Sequence, residues 1–225
     1  MTAAPVNFAQ RVPDQVVDRD CAQGQPSGSP AVRHRRRGVA LEQAIHAAVF
    51  DELVDVGYVG FTIESVAGRA HTGKASIYRR WPTKQHLVID AFCAKFGETY
   101  DLLEHCLDDT VTTRDALLHV GQRMAQIVGE AGEAFRATAF EISRDADFAA
   151  AMEQQVACPK REALLELLQR GVSRGEVRPA AACEVFAEIL PAMITSRLIV
   201  QNRPIADEYL VQVVDEVVMP LLRPA

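Results

Sequence analysis

The sequence predicts an all-α protein: an N-terminal three-helix unit followed by a larger helical half. Three observations predict it. From Leu41 onward apolar residues recur at three- and four-residue steps along almost the whole chain. No stretch alternates apolar and polar residues as a half-buried strand does, and no repeat or strand–helix–strand rhythm appears. Helix punctuation, including Gly57, Thr62, Pro82 and Thr83, falls between the periodic runs. With 225 residues, 48% of them hydrophobic and 24% charged, the chain has the balance of an ordinary globular protein.

Residues 1–32 hold Pro5, Pro13, Pro26 and Pro30 with several Gly and Ser and no periodicity, so they read as a flexible tail. "RHRRRG", Arg33 to Gly38, reads by itself as a solvated charge run and, just ahead of a helix, equally as an arm laid along DNA. Leu41, Ile45, Ala48, Val49, Leu53 and Val56 then mark the first helix, which Gly57 stops. Thr62 is a good N-cap for a short second helix with Ile63, Val66, Ala67 and Ala70 on one face. A turn at His71–Gly73 leads into a third helix over residues 74–80. Pro82 ends it, and Thr83 caps a fourth helix running to Cys106. Further helices are expected over 114–129, 132–143, 145–174 (with Pro159 inside), 182–201 (interrupted by Pro191) and 206–222. The expected domains are therefore 1–32, 33–82 and 83–225.

Net charge is −6, but it is unevenly spread. Residues 33–96 carry ten Lys/Arg against six Asp/Glu, while residues 97–225 carry twelve against twenty-one. A basic segment on an acidic body suggests one part that meets a polyanion and another that does not. No apolar run approaches the roughly 18 residues needed to span a bilayer. The N-terminus has neither a basic leader nor an apolar core segment, so a cytoplasmic protein without a secretory signal is expected. Cys21, Cys93, Cys106, Cys158 and Cys183 are scattered and never spaced C-x-x-C, which fits reduced thiols.

"GRAHTGKAS", Gly68 to Ser76, is one residue short of a phosphate-cradling loop, because Ala75 stands where the magnesium-binding hydroxyl belongs. Such a loop also needs a strand feeding its first glycine, and "FTIESVA" fits helical spacing better. The same residues fit a helix-turn-helix, whose second helix enters a major groove while the first crosses the backbone. Thr72, Lys74, Ser76, Arg79 and Arg80 then face DNA, with Ala75 and Ile77 packed inward.

The stretch "GYVGFTIESVAGRAHTGKASIYRRWPTKQHLV", Gly57 to Val88, closely resembles the DNA-binding domain of TetR-family transcriptional regulators. A weaker resemblance continues in "SRGEVRP", Ser173 to Pro179, and the two helices after it. The resemblance implies a homodimeric regulator, usually a repressor, with a ligand-binding and dimerisation domain in its C-terminal half. It implies that Thr72, Gly73, Lys74 and Ser76 meet base edges or nearby phosphates. Tyr78, Thr62 and Lys84 would hold phosphates, with Arg79 and Arg80 beside them. Arg35, Arg36 and Arg37 complete the expected DNA-binding set. Trp81 stands where the family more often has Phe, and His71 where it usually has Gly, which calls for a left-handed residue other than glycine.

Neither a metal nor another cofactor is expected. His105, Cys106 and His119 lack ligand spacing, no hydrolase or metalloprotease motif occurs, and Asp145 and Asp147 read as helix-start residues. No enzyme activity is expected; the competing reading is an all-α enzyme or ligand carrier whose helix-turn-helix is only structural. Met124, Phe135, Phe140, Phe148, Met152 and Met193 are candidates to line a small-molecule pocket, and equally fit plain core. Apolar stripes through Phe186, Ile189, Leu190 and Met193, and through Leu210, Val213, Val214, Val217 and Leu221, predict a four-helix dimer interface. A two-fold dimer demands an inverted-repeat duplex operator.

Overall fold

In the computed structural model the residues described are 38–106 and 110–224, with side chains set aside over 98–106. All regular elements among them are helical. The first helix, α1 (Val39–Gly60), buries Ile45, Ala48, Val49 and Leu53 and is broken at Gly57, whose φ of 66° sets a kink. The Phe61 amide then donates back to the Gly57 carbonyl at 3.0 Å and ends the helix. Val56 departs from the expected stripe and is 48% exposed; Glu52, one step earlier on the buried side, is inside instead. It tolerates burial because Arg69 donates to it, and Arg69 also reaches Asp55.

α2 (Ile63–Arg69) starts at Thr62, whose hydroxyl accepts from the Ser65 amide at 3.1 Å. α3 (Lys74–Tyr78) is shorter than expected, with Arg79 and Arg80 in the turn that follows it. α4 (Lys84–Cys106) buries Leu87, Val88, Ala91 and Phe92 against this unit. α5 spans Thr113–Arg144 in one 32-residue helix where two were expected. Gly132 does not interrupt it, and a Cβ there would come within 3.1 Å of Ile199. The glycine is a packing device, as is Gly121, which faces Leu190 and Leu210.

The expected helix over 145–174 is one unbroken helical run over 146–173 with a π turn inside it. α6 (Ala146–Met152) is capped by Asp145, whose carboxylate accepts from the Asp147 and Phe148 amides. A wide π turn, Glu153–Ala157, precedes α7 (Cys158–Ser173), with Pro159 in its first turn. Proline has no N–H to offer the carbonyl four residues back. That carbonyl, on Gln155, instead accepts from the Cys93 thiol of α4 at 3.4 Å. α8 (Glu184–Thr195) continues into a π turn over Ser196–Val200. α9 (Asp207–Gln212) passes through another, Val213–Val218, into α10 (Met219–Leu222).

α5 is the spine. It packs against α1, α4, α6, α7, α8 and α9. That packing decides the fate of the apolar stripes. Leu190, Leu210, Val213 and Val214 are buried inside the single chain, so they belong to its core and not to an open seam. Phe186, Ile189, Met193 and Val217 are half-buried, and Leu221 is 43% exposed. No helix among the described residues is long and apolar enough to cross a membrane.

Candidate nucleic-acid interface

The turn between α2 and α3 is built by the chain's own backbone. The Thr72 amide donates to the Ala67 carbonyl at 2.9 Å and the His71 amide to Gly68 at 3.2 Å. These two bonds define a Schellman helix end, which requires a left-handed residue at its penultimate position. His71 takes it, with φ of 52°. α3 is pinned from behind by Ile77, which is fully buried. The opposite side leaves Gly73, Lys74, Tyr78 and Arg79 exposed, with Thr72 and Ser76 half-buried beside them. Ala75, expected to pack inward, is exposed: one turn of so short a helix can bury only the Ile77 direction.

The remaining expected contacts divide into free and engaged groups. No described residue pairs with the Arg79 guanidinium. Lys74 lies 3.7 Å from Glu64, an exposed pair that costs little to break. Thr62 is exposed at the start of α2. Arg80 is turned back, donating to Glu42 of α1 at 2.9 Å. Lys84 donates to the Tyr58 carbonyl at 3.0 Å and lies 4.4 Å from that ring's centroid. Burial, with Asp145 and Glu141 nearby, pushes the Tyr58 hydroxyl up to about 12, so it stays neutral. Arg35, Arg36 and Arg37 lie outside the described residues.

Behind α3 stands a polar brace that sequence reasoning missed. The Trp81 indole N–H donates to Asp90 of α4 at 2.8 Å, and His46 of α1 donates to the same carboxylate oxygen at 3.0 Å. Burial opposes ionisation of Asp90, but the His46 and Trp81 hydrogen bonds, helped by Arg80, hold its pKa below the ordinary carboxylate value. The brace ties α1, the end of the reading unit and α4 together. Its one visible signal was a tryptophan, whose buried N–H needs an acceptor.

A cavity of about 250 Å³ lies farther along the chain, between α4, α5, the α6–α7 region and the turn after α8. Phe96, Val128, Phe135, Met152, Lys160 and Ile199 are among its walls. Of the six pocket candidates, Phe135 and Met152 line it. Met124 and Phe148 are buried outside its lining, and Met193 is half-buried away from it. Phe140 is 63% exposed, its ring 5.4 Å from the Arg144 guanidinium. Five residues beyond Phe135, it sits well round the helix from the cavity face.

Comparison with known proteins agrees with this geometry in both halves. Residues 45–91 match the family described as "Bacterial regulatory proteins, tetR family". Residues 107–217 match "Tetracyclin repressor-like, C-terminal domain". An uncharacterised HTH-type transcriptional regulator of Mycobacterium tuberculosis is 30% identical over 181 residues, 80% of this chain and 87% of the relative. The DNA-binding transcriptional repressor TetR of Mycobacteroides abscessus is 28% identical over 191 residues, 84% of this chain and 97% of the relative. Among solved structures, Salmonella enterica GusR shares the fold with a TM-score of 0.69 at 12% identity, over 83% of this chain and 97% of that one. A helix-turn-helix with this turn, joined to a helical half that its relatives share, places the chain in the TetR family: it is a DNA-binding transcriptional regulator.

Proposed function

We propose that the protein is a homodimeric repressor, acting in the cytoplasm, that a small molecule in the α4–α7 cavity releases from an inverted-repeat operator. It acts by binding and not by catalysis, with a DNA-binding domain over residues 33–82 and an effector and dimer domain over 83–225. Thr72, Gly73, Lys74 and Ser76 meet base edges or the phosphates beside them, while Thr62, Tyr78 and Arg79 hold backbone. Phosphate contacts set affinity and register; base contacts set sequence.

The observation that carries the reading is a path of packed rings between the cavity and the reading unit. Phe96 and Phe135, both in the cavity wall, pack on Phe92, which meets Phe50 of α1 at 5.3 Å. A second contact, Phe148 against Tyr58 at 5.2 Å, joins α6 to the end of α1 and thence to Lys84. A ligand that favours one arrangement of these rings biases α1 and α4 together, by as much as its affinity differs between the two states.

The test is selection from a random duplex pool, followed by anisotropy titration of the selected duplex at several salt concentrations. An inverted repeat bound with a steep salt dependence is expected. Binding that shows no sequence preference and no salt slope overturns the reading.

A further inference from the structure

We propose that the effector is an apolar monocarboxylate, its hydrocarbon body held in the 250 Å³ cavity and its carboxylate held by the Lys160 ammonium and the Thr195 hydroxyl. The inference rests on the effector reading above and gives that effector a chemical class.

The walls Phe96, Val128, Phe135, Met152 and Ile199 offer a ligand only dispersion and the release of water. Into this lining comes one cation. Lys160 lies with its Nζ 5.5 Å from the Phe96 ring centroid. No carboxylate stands within ion-pair distance of it among the described residues. Glu153, the acid of the same wall, is already taken: Arg161 donates to it at 2.7 Å. Arg161 also stands 3.5 Å from Glu188, so both nearby carboxylates lie on the Arg161 side and neither comes within ion-pair distance of the Lys160 ammonium. Burial lowers the Lys160 pKa, with Glu153 opposing, which is the cost of holding an ammonium where water is scarce. A carboxylate seated on it offsets that cost and makes a charge-assisted hydrogen bond.

The position of Lys160 also orients the ligand. A second, more open hollow of about 300 Å³ shares Glu153, Ala157, Lys160 and Thr195 with the cavity and adds Arg161, Glu188 and Pro191. Lys160 and Thr195 thus stand where the inner chamber meets the outer hollow. The apolar end points inward and the charged end toward the mouth. At about 30 Å³ per water-sized group, the chamber holds roughly eight such groups, the scale of a medium-chain acid.

The probe is octanoate, with 1-octanol as its uncharged counterpart, titrated by calorimetry into the full-length protein without DNA. Octanoate is expected to bind the wild type at least tenfold more tightly than octanol. In Lys160→Met the preference is expected to disappear or invert, and the thermal transition to be kept, since the ammonium makes no ion pair among the described residues for the substitution to break. Thr195→Val, which keeps the lysine, is expected to weaken octanoate a few-fold and leave octanol unchanged. Equal affinity of the wild type for the two probes, no binding of octanoate, or an octanoate preference that survives in Lys160→Met overturns the proposal. Release of the operator by octanoate is read separately by anisotropy. Lys160-dependent binding without release sinks the effector mechanism and leaves the ligand class standing; intact operator binding with no octanoate binding does the reverse.

Discussion

His71 holds the turn of the reading unit in a conformation that an L-residue adopts at a cost of roughly 1–2 kcal/mol. Replacing it with glycine removes that strain and returns part of the gain to the unfolded chain's entropy. His71→Gly is therefore expected to raise stability by up to about 1 kcal/mol, seen as a higher Tm; a lower Tm shows that the imidazole itself stabilises the turn. Asp90 makes a second residue-level prediction. Its folded pKa lies below the 3.8 of an unperturbed carboxyl. The stabilisation this implies is present above that unfolded value and is lost as pH falls through the lower, folded one. Asp90→Asn keeps an acceptor for Trp81 and removes the charge, so the variant should be less stable than wild type at pH 7. The gap should close below about 3.8. A gap that is constant with pH rejects the charged brace. At the DNA surface, Lys74→Ala is expected to weaken operator binding and reduce the salt slope by about one unit, with helix content unchanged. An unaltered slope in anisotropy titrations takes Lys74 off the phosphates.

At the scale of elements, close approach between helices and turns is set by glycines that sequence periodicity reads as interruptions. A Cβ on Gly171 of α7 would fall 2.5 Å from Val177 Cγ2 and 2.6 Å from Thr113 Oγ1. Neither can withdraw easily. Val177 is buried in the turn after α7, and Thr113, at the start of α5, is equally enclosed. Gly171→Ala is expected to destabilise the protein by about 1–3 kcal/mol. Denaturant melts of the variant check this, and an unchanged midpoint shows that α7 can shift away from α5. The same physics explains why α5 was read as two helices. Gly129 and Gly132 have the composition of a break, but at Gly132 the missing side chain makes room for Ile199 from a distant segment. The π turns before Pro159 and after Thr195 were likewise illegible, because widening a helix by one residue leaves no local signature beyond the proline.

For the whole molecule, the apolar surface left for a partner is narrower than the stripes in α8 and the C-terminal helix suggest. Val214 is fully buried in one chain, so a charge there would unfold the protein instead of separating subunits. What those stripes leave accessible is Leu221 at 43% and half-buried Phe186, Ile189, Met193 and Val217, with Val185 beside them at 68%. Val217→Glu with Leu221→Glu is expected to give a folded monomer that binds the operator poorly, read by light scattering and anisotropy. A dimer of full affinity moves the interface off this face. Arg114 grips Asp215 through two hydrogen bonds of 2.6 and 2.8 Å, tying the start of α5 to the C-terminal helix. The C-terminal helix is thereby braced against α5.

The sequence by itself determined the helical class, the order of the elements and the layout of the reading unit. Those signals are short-range: the Thr62 cap, the Gly57 stop and the His71 turn each act within a few residues. Only the tertiary structure decided which apolar residues face inward, which face a cavity and which face out. Val214 and Leu221 look alike in sequence, yet one is enclosed by α5 and α8 and the other meets solvent. The Trp81–Asp90–His46 brace and the Lys160–Phe96 contact join distant segments in the same way. Asp90 meets His46 across 44 positions, and Lys160 of α7 meets the Phe96 ring of α4. Whether a charge is paired, or a side chain covered, depends on what the fold brings from elsewhere in the chain, and helical periodicity carries no record of it.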